Sequence, residues 1–293
     1  MIKASAITAT KSLGDQRQGS TTEPAPKLKV AKIGIVSRNY NHEYSNGFRD
    51  FSAAFFGVLK VLDDEGCDTV LFSPFSIVPR TSFRPLRLLR RFHHVKAVIY
   101  EEFCDGGGRK RKGLGCVVLY RKGYKWREYV LPGGGFPRLR GSMAAKKKVV
   151  GDYVRYVLPG RILGNCCVII CGETNGVPYH PKDGKVKDDF GLRGAIPQKV
   201  TVVLNPVHDW MSRFEMPLKR KFLSQKGRWV ISVWNKGKRG KGSKPRDAIG
   251  DPWTVYHNRK VAKPMIDPNE IAKKIRLPPI DARKIDLGIF EVR

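Results

Sequence analysis

The segment Val168-Ile169-Ile170-Cys171-Gly172-Glu173-Thr174-Asn175 decides both the fold and the chemistry that the sequence predicts. Its β-branched apolar residues predict a buried strand at 168–171, and the glycine, carboxylate and amide that follow predict a turn. A strand that carries a thiol to its carboxyl tip presents a nucleophile in α/β folds, and backbone N–H groups of the turn can stabilise an oxyanion. The alternative is an inert cysteine at the end of a core strand, because free cysteines are often fully buried.

The charge of the chain predicts an anionic partner. The 293 residues include 56 Lys and Arg against 26 Asp and Glu, which gives a net charge of +30. This excess favours one of three partners: nucleic acid bound without sequence specificity, a phosphorylated or other anionic small-molecule substrate, or an acidic membrane face. A basic background with no dedicated partner is the alternative.

The cysteines and the apolar segments limit the location of the protein. The six cysteines form no Cys-x-x-Cys pair, so their spacing predicts no zinc site. The first residues contain no signal-peptide core, and no apolar run approaches the ~20 residues of a membrane span. We therefore expect a cytoplasmic protein with reduced thiols and no membrane span.

Short apolar strands alternate with amphipathic helices after a polar tail. Residues 1–28 are rich in Ser, Thr, Ala, Gln and Lys and predict a disordered tail, which leaves 29–293 as one α/β domain. The predicted elements are a strand at 30–37, a helix at 48–65, a strand at 69–72, a basic helix at 80–91, strands at 96–103, 114–120 and 124–131, an irregular basic segment at 136–150, strands at 168–171 and 200–204, a helix at 211–224, a strand at 229–234 and an edge strand at 287–292.

In the order and spacing of its motifs, the chain from about residue 30 resembles the nitrilase, or carbon–nitrogen hydrolase, superfamily. Ile170-Cys171-Gly172-Glu173 is similar to the nucleophile motif Ile-Cys-x-Asp/Glu, and the strands that end at Asn205 and Asn235 are similar to the two that follow it. The resemblance implies a four-layer α-β-β-α sandwich. It also implies attack of a cysteine on an amide, nitrile or carbamoyl carbon through a thioester-type intermediate, no metal or other cofactor, and a homodimer.

The chain departs from the family pattern at the other two catalytic positions. Where the family has Pro-Glu, with Glu as general base, this chain has Pro74-Phe75, and phenylalanine cannot accept a proton. Where the family has Tyr-x-Lys-x-x-Leu, the closest register puts Glu128 at the lysine position. Two interpretations stay open: a hydrolase that uses another base, or a catalytically degenerate nitrilase-like protein that binds anionic ligands or nucleic acid. An unrelated α/β fold is a third.

His208 is the predicted replacement for the missing base. It follows the strand at 200–204, and tips of adjacent strands converge at one edge of a sheet, so His208 and Cys171 are expected to meet. The alternative is a histidine with a loop or capping role. His180, nine residues after Cys171, is a weaker candidate. Glu173 completes the predicted catalytic group as an acceptor that holds the cysteine loop.

The remaining candidate residues bind substrate or anions. The expected substrate-binding residues are Asn205 and Asn235 at strand tips, either of which is otherwise a turn residue, together with Lys125 and Arg127. The expected anion-binding residues lie on two basic, glycine-rich loops and are Arg109, Lys110, Arg111, Lys112, Lys236, Lys238, Arg239 and Lys241.

Overall fold

The computed structural model describes residues 28–38, 51–78, 89–104, 112–120, 125–129, 139–208, 214–236, 251–267, 270–271 and 285–292. The predicted tail up to residue 27 lies outside these residues, as does most of the predicted helix at 80–91. None of the described helices is both long enough and apolar enough to cross a membrane.

The described residues form fourteen strands and four α-helices. The strands are β1 (Lys32–Arg38), β2 (Thr69–Phe72), β3 (Ala97–Cys104), β4 (Lys112–Tyr120), β5 (Lys125–Tyr129), β6 (Ile162–Leu163), β7 (Cys166–Val168), β8 (Tyr179–His180), β9 (Lys185–Val186), β10 (Val202–Pro206), β11 (Trp229–Val233), β12 (Trp253–His257), β13 (Lys260–Val261) and β14 (Ile285–Glu291). The helices are α1 (Ser52–Asp64), α2 (Met143–Asp152), α3 (Leu192–Ala195) and α4 (Glu215–Leu223), with a π-helical turn at Tyr153–Val157 and 3₁₀ turns at Leu158–Arg161 and Cys171–Gly176.

Two six-stranded sheets form the centre of the domain. The first has the order β14-β1-β2-β3-β4-β5, and the second has the order β13-β12-β11-β10-β7-β6. Strands β1, β2 and β3 are parallel, and so are β7, β10 and β11. The carboxyl ends of the parallel strands therefore lie at one rim of each sheet. Strand β14 is an edge strand, as predicted.

Three apolar cores show that helices cover the outer face of each sheet. Residues of both sheets meet in the middle core, which includes Ile35, Ile99, Val168, Leu204 and Ile231. A second core joins α1 to the outer face of the first sheet and includes Phe55, Leu59, Val70 and Phe72. A third joins α2 and α4 to the outer face of the second sheet and includes Val150, Cys167, Val203 and Leu223. The layers are thus α-β-β-α, as the resemblance implied.

The beginning of the described chain packs against the turn between β6 and β7. Leu28, which the sequence assigned to the tail, is buried in the middle core. The N–H of Asn165 donates to the Leu28 carbonyl at 3.0 Å, beside Gly164. Gly164 has a φ of +64°, and a Cβ there would lie 1.9 Å from the same carbonyl oxygen. Only glycine fits at this crossing.

The strand that leads to Cys171 begins and ends earlier than predicted. Strand β7 ends at Val168, although the Ile169 N–H still donates to the Leu204 carbonyl at 2.9 Å. Parallel pairing with β10 extends from Cys166 to Val168, because the chain then turns sharply at Cys171. The predicted strand at 168–171 is therefore correct in place but wrong in its bounds.

The prediction of an irregular segment at 136–150 agrees with the described residues 139–142 and is wrong from Met143 onward, where a helix begins. Helix α2 begins after Ser142, whose hydroxyl accepts the Ala145 N–H at 3.2 Å as an N-cap. The alanines and lysines that follow are good helix formers. Their helix propensity was overlooked because the segment is highly charged.

Asp63, near the end of α1, joins this helix to the chain that enters β3. Its buried carboxylate accepts the backbone N–H groups of His93, His94 and Val95 at 2.9, 2.6 and 2.8 Å. Burial alone would raise the pKa of Asp63, but these hydrogen bonds outweigh burial and hold the pKa below its ordinary value of 3.8.

We predict that Asp63→Ala lowers the free energy of unfolding by about 3 kcal/mol, because three N–H groups lose their acceptor. The contribution of Asp63 is present above its unfolded pKa and disappears as the pH falls through the lower folded pKa, so the difference between the two proteins should shrink below about pH 4. Urea denaturation measures both effects.

The neighbouring Asp64 provides the control, since its side chain is 58% exposed and pairs only with Lys60 one turn away. Asp64→Ala should change stability by less than about 0.5 kcal/mol. Equal stability of the two variants would contradict the assigned role of Asp63.

Candidate functional site

The rims of the two sheets are joined by hydrogen bonds where their parallel strands end. The Ser37 hydroxyl donates to the Trp234 carbonyl at 2.7 Å. The Asn235 amide donates to the Pro74 carbonyl at 2.6 Å and accepts the Ser73 hydroxyl. Because these bonds cross from one sheet to the other, side chains from both rims share one site.

Cys171 occupies a turn at this rim in a backbone conformation that few residues adopt. Its φ is +35°, it is the first residue of a 3₁₀ turn, and it is only partly buried. A positive φ is uncommon for a residue other than glycine and is often found at functional sites. The Thr174 hydroxyl donates to the Cys171 carbonyl at 2.9 Å and so holds the turn closed.

Glu173 stabilises the same turn from the interior of the protein. Its fully buried carboxylate accepts the N–H of Ile170 at 2.7 Å, the guanidinium of Arg161 at 2.8 Å and the hydroxyl of Tyr153 at 3.1 Å. Burial, and then the Glu173 charge, raise the pKa of Tyr153 well above its ordinary value, so the phenol keeps the proton that it donates. This geometry suits the predicted acceptor that positions the cysteine loop.

His208 lies between Cys171 and a carboxylate of the opposite sheet. Its Nε2 lies 2.6 Å from Oε1 of Glu101, and its side chain shares a hydrogen bond with that of Cys171. The predicted meeting of Cys171 and His208 is therefore present. His180, the weaker candidate, instead pairs with Asp189 at 2.6 Å.

Glu101 is a residue of the site that sequence reasoning missed. It is the fifth residue of β3 and is 8% exposed, and its Oε2 accepts the backbone N–H of Phe75 at 2.8 Å. The signal in the sequence was a carboxylate directly after the apolar run that ends with Tyr100. Charged residues are seldom buried unless they are paired, so Glu101 needed a partner.

The environment of His208 favours its protonated form. Burial would lower its pKa, but hydrogen bonds to Cys171 and Glu101, and the negative charges of the two, raise the pKa of His208 to about 10. At neutral pH the site therefore holds an imidazolium between a carboxylate and the cysteine sulfur. This is the environment in which a cysteine reacts as a thiolate.

Phe75, which follows Pro74 at the rim, lies against this group. Its ring centroid is 4.9 Å from that of His208, and its φ is +55°. Its carbonyl accepts the guanidinium of Arg38, which is 1% exposed. Phe75 is thus a wall of the site and supplies no proton acceptor from its side chain.

The two predicted asparagines are buried and bonded to the protein. The Asn205 amide donates to the Ile169 carbonyl at 2.7 Å, and its oxygen accepts the Ser232 hydroxyl at 2.8 Å. Asn235 joins the sheets as described above. These contacts fit a role in holding the strand tips, and substrate binding by either residue stays a prediction.

Most of the predicted basic residues lie outside the described part of the chain. Lys125 and Arg127 are in β5, and Lys112 begins β4. Lys236 forms an ion pair with Asp286 at 2.8 Å. The other predicted anion-binding residues lie outside the described ranges and are Arg109, Lys110, Arg111, Lys238, Arg239 and Lys241.

An open cavity of about 760 Å³ adjoins the cysteine turn. Lys219 of α4 is 5% exposed and donates to Asn175, the fifth residue of the turn, at 2.8 Å. Both residues line the cavity, with His180 and Asp189 on its wall. Within the described ranges, His, Cys, Asp and Glu side chains form no group of three placed to hold a metal.

Three solved structures resemble this one over 90% of the chain. An amidase from Nesterenkonia sp. has a TM-score of 0.45 at 10% identity and is covered over 92% of its length. A carbon–nitrogen hydrolase from Helicobacter pylori G27 has a TM-score of 0.41 at 11% identity, covered over 89%. A glutamine-dependent NAD(+) synthetase from Cytophaga hutchinsonii has a TM-score of 0.44 at 9% identity, covered over 43%.

With TM-scores below 0.5 the similarity carries no argument about substrate or residues, and the sandwich architecture rests on the sheet order and cores themselves. No family model and no curated protein sequence matches the chain.

We predict that iodoacetamide alkylates Cys171 at least about tenfold faster than Cys166 or Cys167 in the folded protein at pH 7, since reactivity follows thiolate character and exposure. Cys166 and Cys167 are fully buried; burial raises the pKa of Cys167 to about 12 and that of Cys166 still further. Mass spectrometry of the digested protein gives the rate at each cysteine.

The same experiment on His208→Asn tests the imidazolium. This variant should slow alkylation of Cys171 and leave the other two rates unchanged. A Cys171 that reacts no faster than its buried neighbours would rule out a nucleophile.

Proposed function

We propose that the protein is a carbon–nitrogen hydrolase whose nucleophile is Cys171, with His208 as acid and base and Glu101 as the residue that orients His208. The observation that carries the proposal is the chain of hydrogen bonds from Cys171 through His208 to Glu101. A nucleophile, a base and a group that holds the base form the arrangement used by cysteine and serine acyl-transfer enzymes on several folds.

The reaction begins with attack of the Cys171 thiolate on the carbonyl carbon of an amide. The tetrahedral intermediate collapses when the C–N bond breaks and the His208 imidazolium gives its proton to the leaving nitrogen. This step leaves a thioester on Cys171 and releases ammonia or an amine. Since Nε2 is bound to Glu101, Nδ1 is the nitrogen that serves the reacting atoms.

The second half of the reaction returns the enzyme to its first state. Neutral His208 takes a proton from water as the water attacks the thioester carbon. The carbon–sulfur bond then breaks, and the products are a carboxylic acid, the Cys171 thiolate and the His208 imidazolium. Glu101 keeps the ring in place and stabilises its charge throughout.

This assignment accounts for the absence of the family's Glu at position 75. His208 and Glu101 supply the proton transfer that Phe75 cannot, and the Phe75 ring beside His208 keeps water from one face of the ring. The alternative, a degenerate protein, requires no proton carrier beside Cys171.

We predict that Cys171→Ala abolishes amide hydrolysis and that His208→Asn lowers kcat/KM by about 10²–10⁴-fold. Glu101→Gln should lower kcat/KM and also lower the pH above which activity is lost, which in the parent protein is set by a pKa of about 10. Release of amine from a panel of simple amides measures turnover, and intact-protein mass spectrometry detects the thioester.

Glu102→Gln is the matched control, because Glu102 is the next residue of β3 and is more exposed than Glu101. It should keep both the activity and the pH profile. Unchanged turnover in Cys171→Ala would contradict the proposal.

A second candidate function is binding of nucleic acid, and the observation that favours it is the net charge of +30. Five basic residues of the predicted second loop are Lys238, Arg239, Lys241, Lys244 and Arg246. Each phosphate that such a loop neutralises steepens the salt dependence of affinity by about 0.9 on duplex DNA and about 0.7 on single strands.

We predict that replacing these five residues with glutamine weakens binding to a generic oligonucleotide and flattens its salt dependence. A control variant should replace five exposed lysines elsewhere, namely Lys60, Lys147, Lys148, Lys226 and Lys260. Binding is measured by fluorescence anisotropy at two salt concentrations. Equal effects of the two sets of substitutions would show that the loop is no dedicated binding site and that only the overall positive charge attracts the oligonucleotide.

A further inference from the structure

Arg220 is a buried cation with two donors that the protein leaves unused. It lies on α4 and is 1% exposed. Its Nη1 donates to the Thr254 hydroxyl at 2.6 Å, but its Nε and Nη2 have no hydrogen-bond partner among the described residues. Burial, offset in part by Tyr256 and Cys171, lowers the pKa of Arg220 to about 10, so the side chain is still charged at neutral pH.

Such a side chain is costly for the folded protein alone. Removing a guanidinium from water without a counter-charge costs several kcal/mol, and replacing a buried charge with an apolar residue is often neutral or stabilising. The contacts of Arg220 within the described chain are a hydroxyl and the Trp234 ring, whose centroid is 5.4 Å from the guanidinium carbon. The contacts that Arg220 makes with the described residues therefore give no sufficient structural reason for its charge.

The unused donors have the geometry of a carboxylate site. The N–H groups of Nε and Nη2 lie side by side on one edge of the planar guanidinium, and this edge forms two parallel hydrogen bonds with the two oxygens of a carboxylate. A single point charge such as lysine would not show this preference.

Arg220 also lies in the neighbourhood of the nucleophile. Trp234, against which it packs, is at the rim where the two sheets meet, next to Asn235. The charges of Arg220 and Cys171 lie close enough to influence each other.

We propose that Arg220 is a specificity-determining residue that binds a carboxylate of the substrate, so that the amide cleaved at Cys171 belongs to a molecule that also carries a carboxylate. This inference rests on the proposed function for the reaction itself. The binding of a carboxylate to Arg220 is a separate property and can be measured without turnover.

The binding test uses butyrate and its uncharged counterpart butyramide, titrated by calorimetry into the parent protein, Cys171→Ala, Arg220→Met and Lys221→Met. Butyrate should bind to the parent, to Cys171→Ala and to the control Lys221→Met, which removes the neighbouring charge of the same helix. Arg220→Met should lose roughly tenfold to 100-fold in butyrate affinity, the value of a charge-assisted hydrogen bond, and should bind butyramide as the parent does.

Thermal unfolding separates this role from a structural one. Without ligand, Arg220→Met should be at least as stable as the parent, because it removes an uncompensated charge. Arg220→Lys should keep only part of the butyrate affinity, since it retains the charge and loses the paired donors.

Three results would overturn the inference. Arg220→Met binds butyrate like the parent, the parent binds no butyrate, or Arg220→Met loses affinity for butyrate and for butyramide to the same extent. The last result would assign Arg220 to the shape of the site or to the reacting carbonyl. If butyrate binding depends on Arg220 but Cys171 is unreactive, the proposed hydrolase function is wrong. The assignment of Arg220 as a carboxylate-binding residue would still be supported.

Discussion

The bond between Glu101 and His208 is the contact on which the rest of the site depends. Glu101 lies in β3 of the first sheet and His208 follows β10 of the second, and 2.6 Å separates their bonded atoms. The second sheet alone would offer Cys171 and His208 without a carboxylate to orient the imidazole, and the first sheet alone would offer a buried carboxylate without a partner. The site therefore exists only because the middle core holds the two rims face to face.

Support for the cysteine turn comes from the opposite side of the second sheet. Cys171 keeps its positive φ because Glu173 ties the turn to Arg161 and Tyr153 in the interior. A strained residue persists where its surroundings fix it. Within one motif, the fully buried Glu173 thus stabilises the turn, and Cys171, two residues earlier, is partly exposed at the site.

Much of the fold was predictable from the sequence because the alternation of apolar strands and helices is local. The strand at 69–72 has the bounds that its residues predict, and the nitrilase-like order of motifs implied the four layers. The helix at Met143–Asp152 was missed because its many lysines gave it no apolar stripe to detect, while its Ser142 cap was visible.

The candidate site was predictable only in part because its members come from distant segments. Cys171 and His208 follow adjacent parallel strands, so their meeting could be inferred from strand order. Glu101 could not be paired with either, since its contact requires two sheets to pack at a known angle. Arg220 could not be picked out from the sequence, because nothing distinguishes one buried arginine from the other basic residues of the same helix.

The most direct test of the central claim is an NMR titration of the His208 imidazole in protein labelled with ¹⁵N-histidine. We predict that the ring stays protonated from neutral pH up to about pH 10. We also predict that Cys171→Ala lowers this pKa, because the thiolate charge is one of its causes, and that Glu101→Gln lowers it as well. A His208 that titrates near its ordinary pKa of 6.5 in all three proteins would contradict the proposed roles of Cys171, His208 and Glu101.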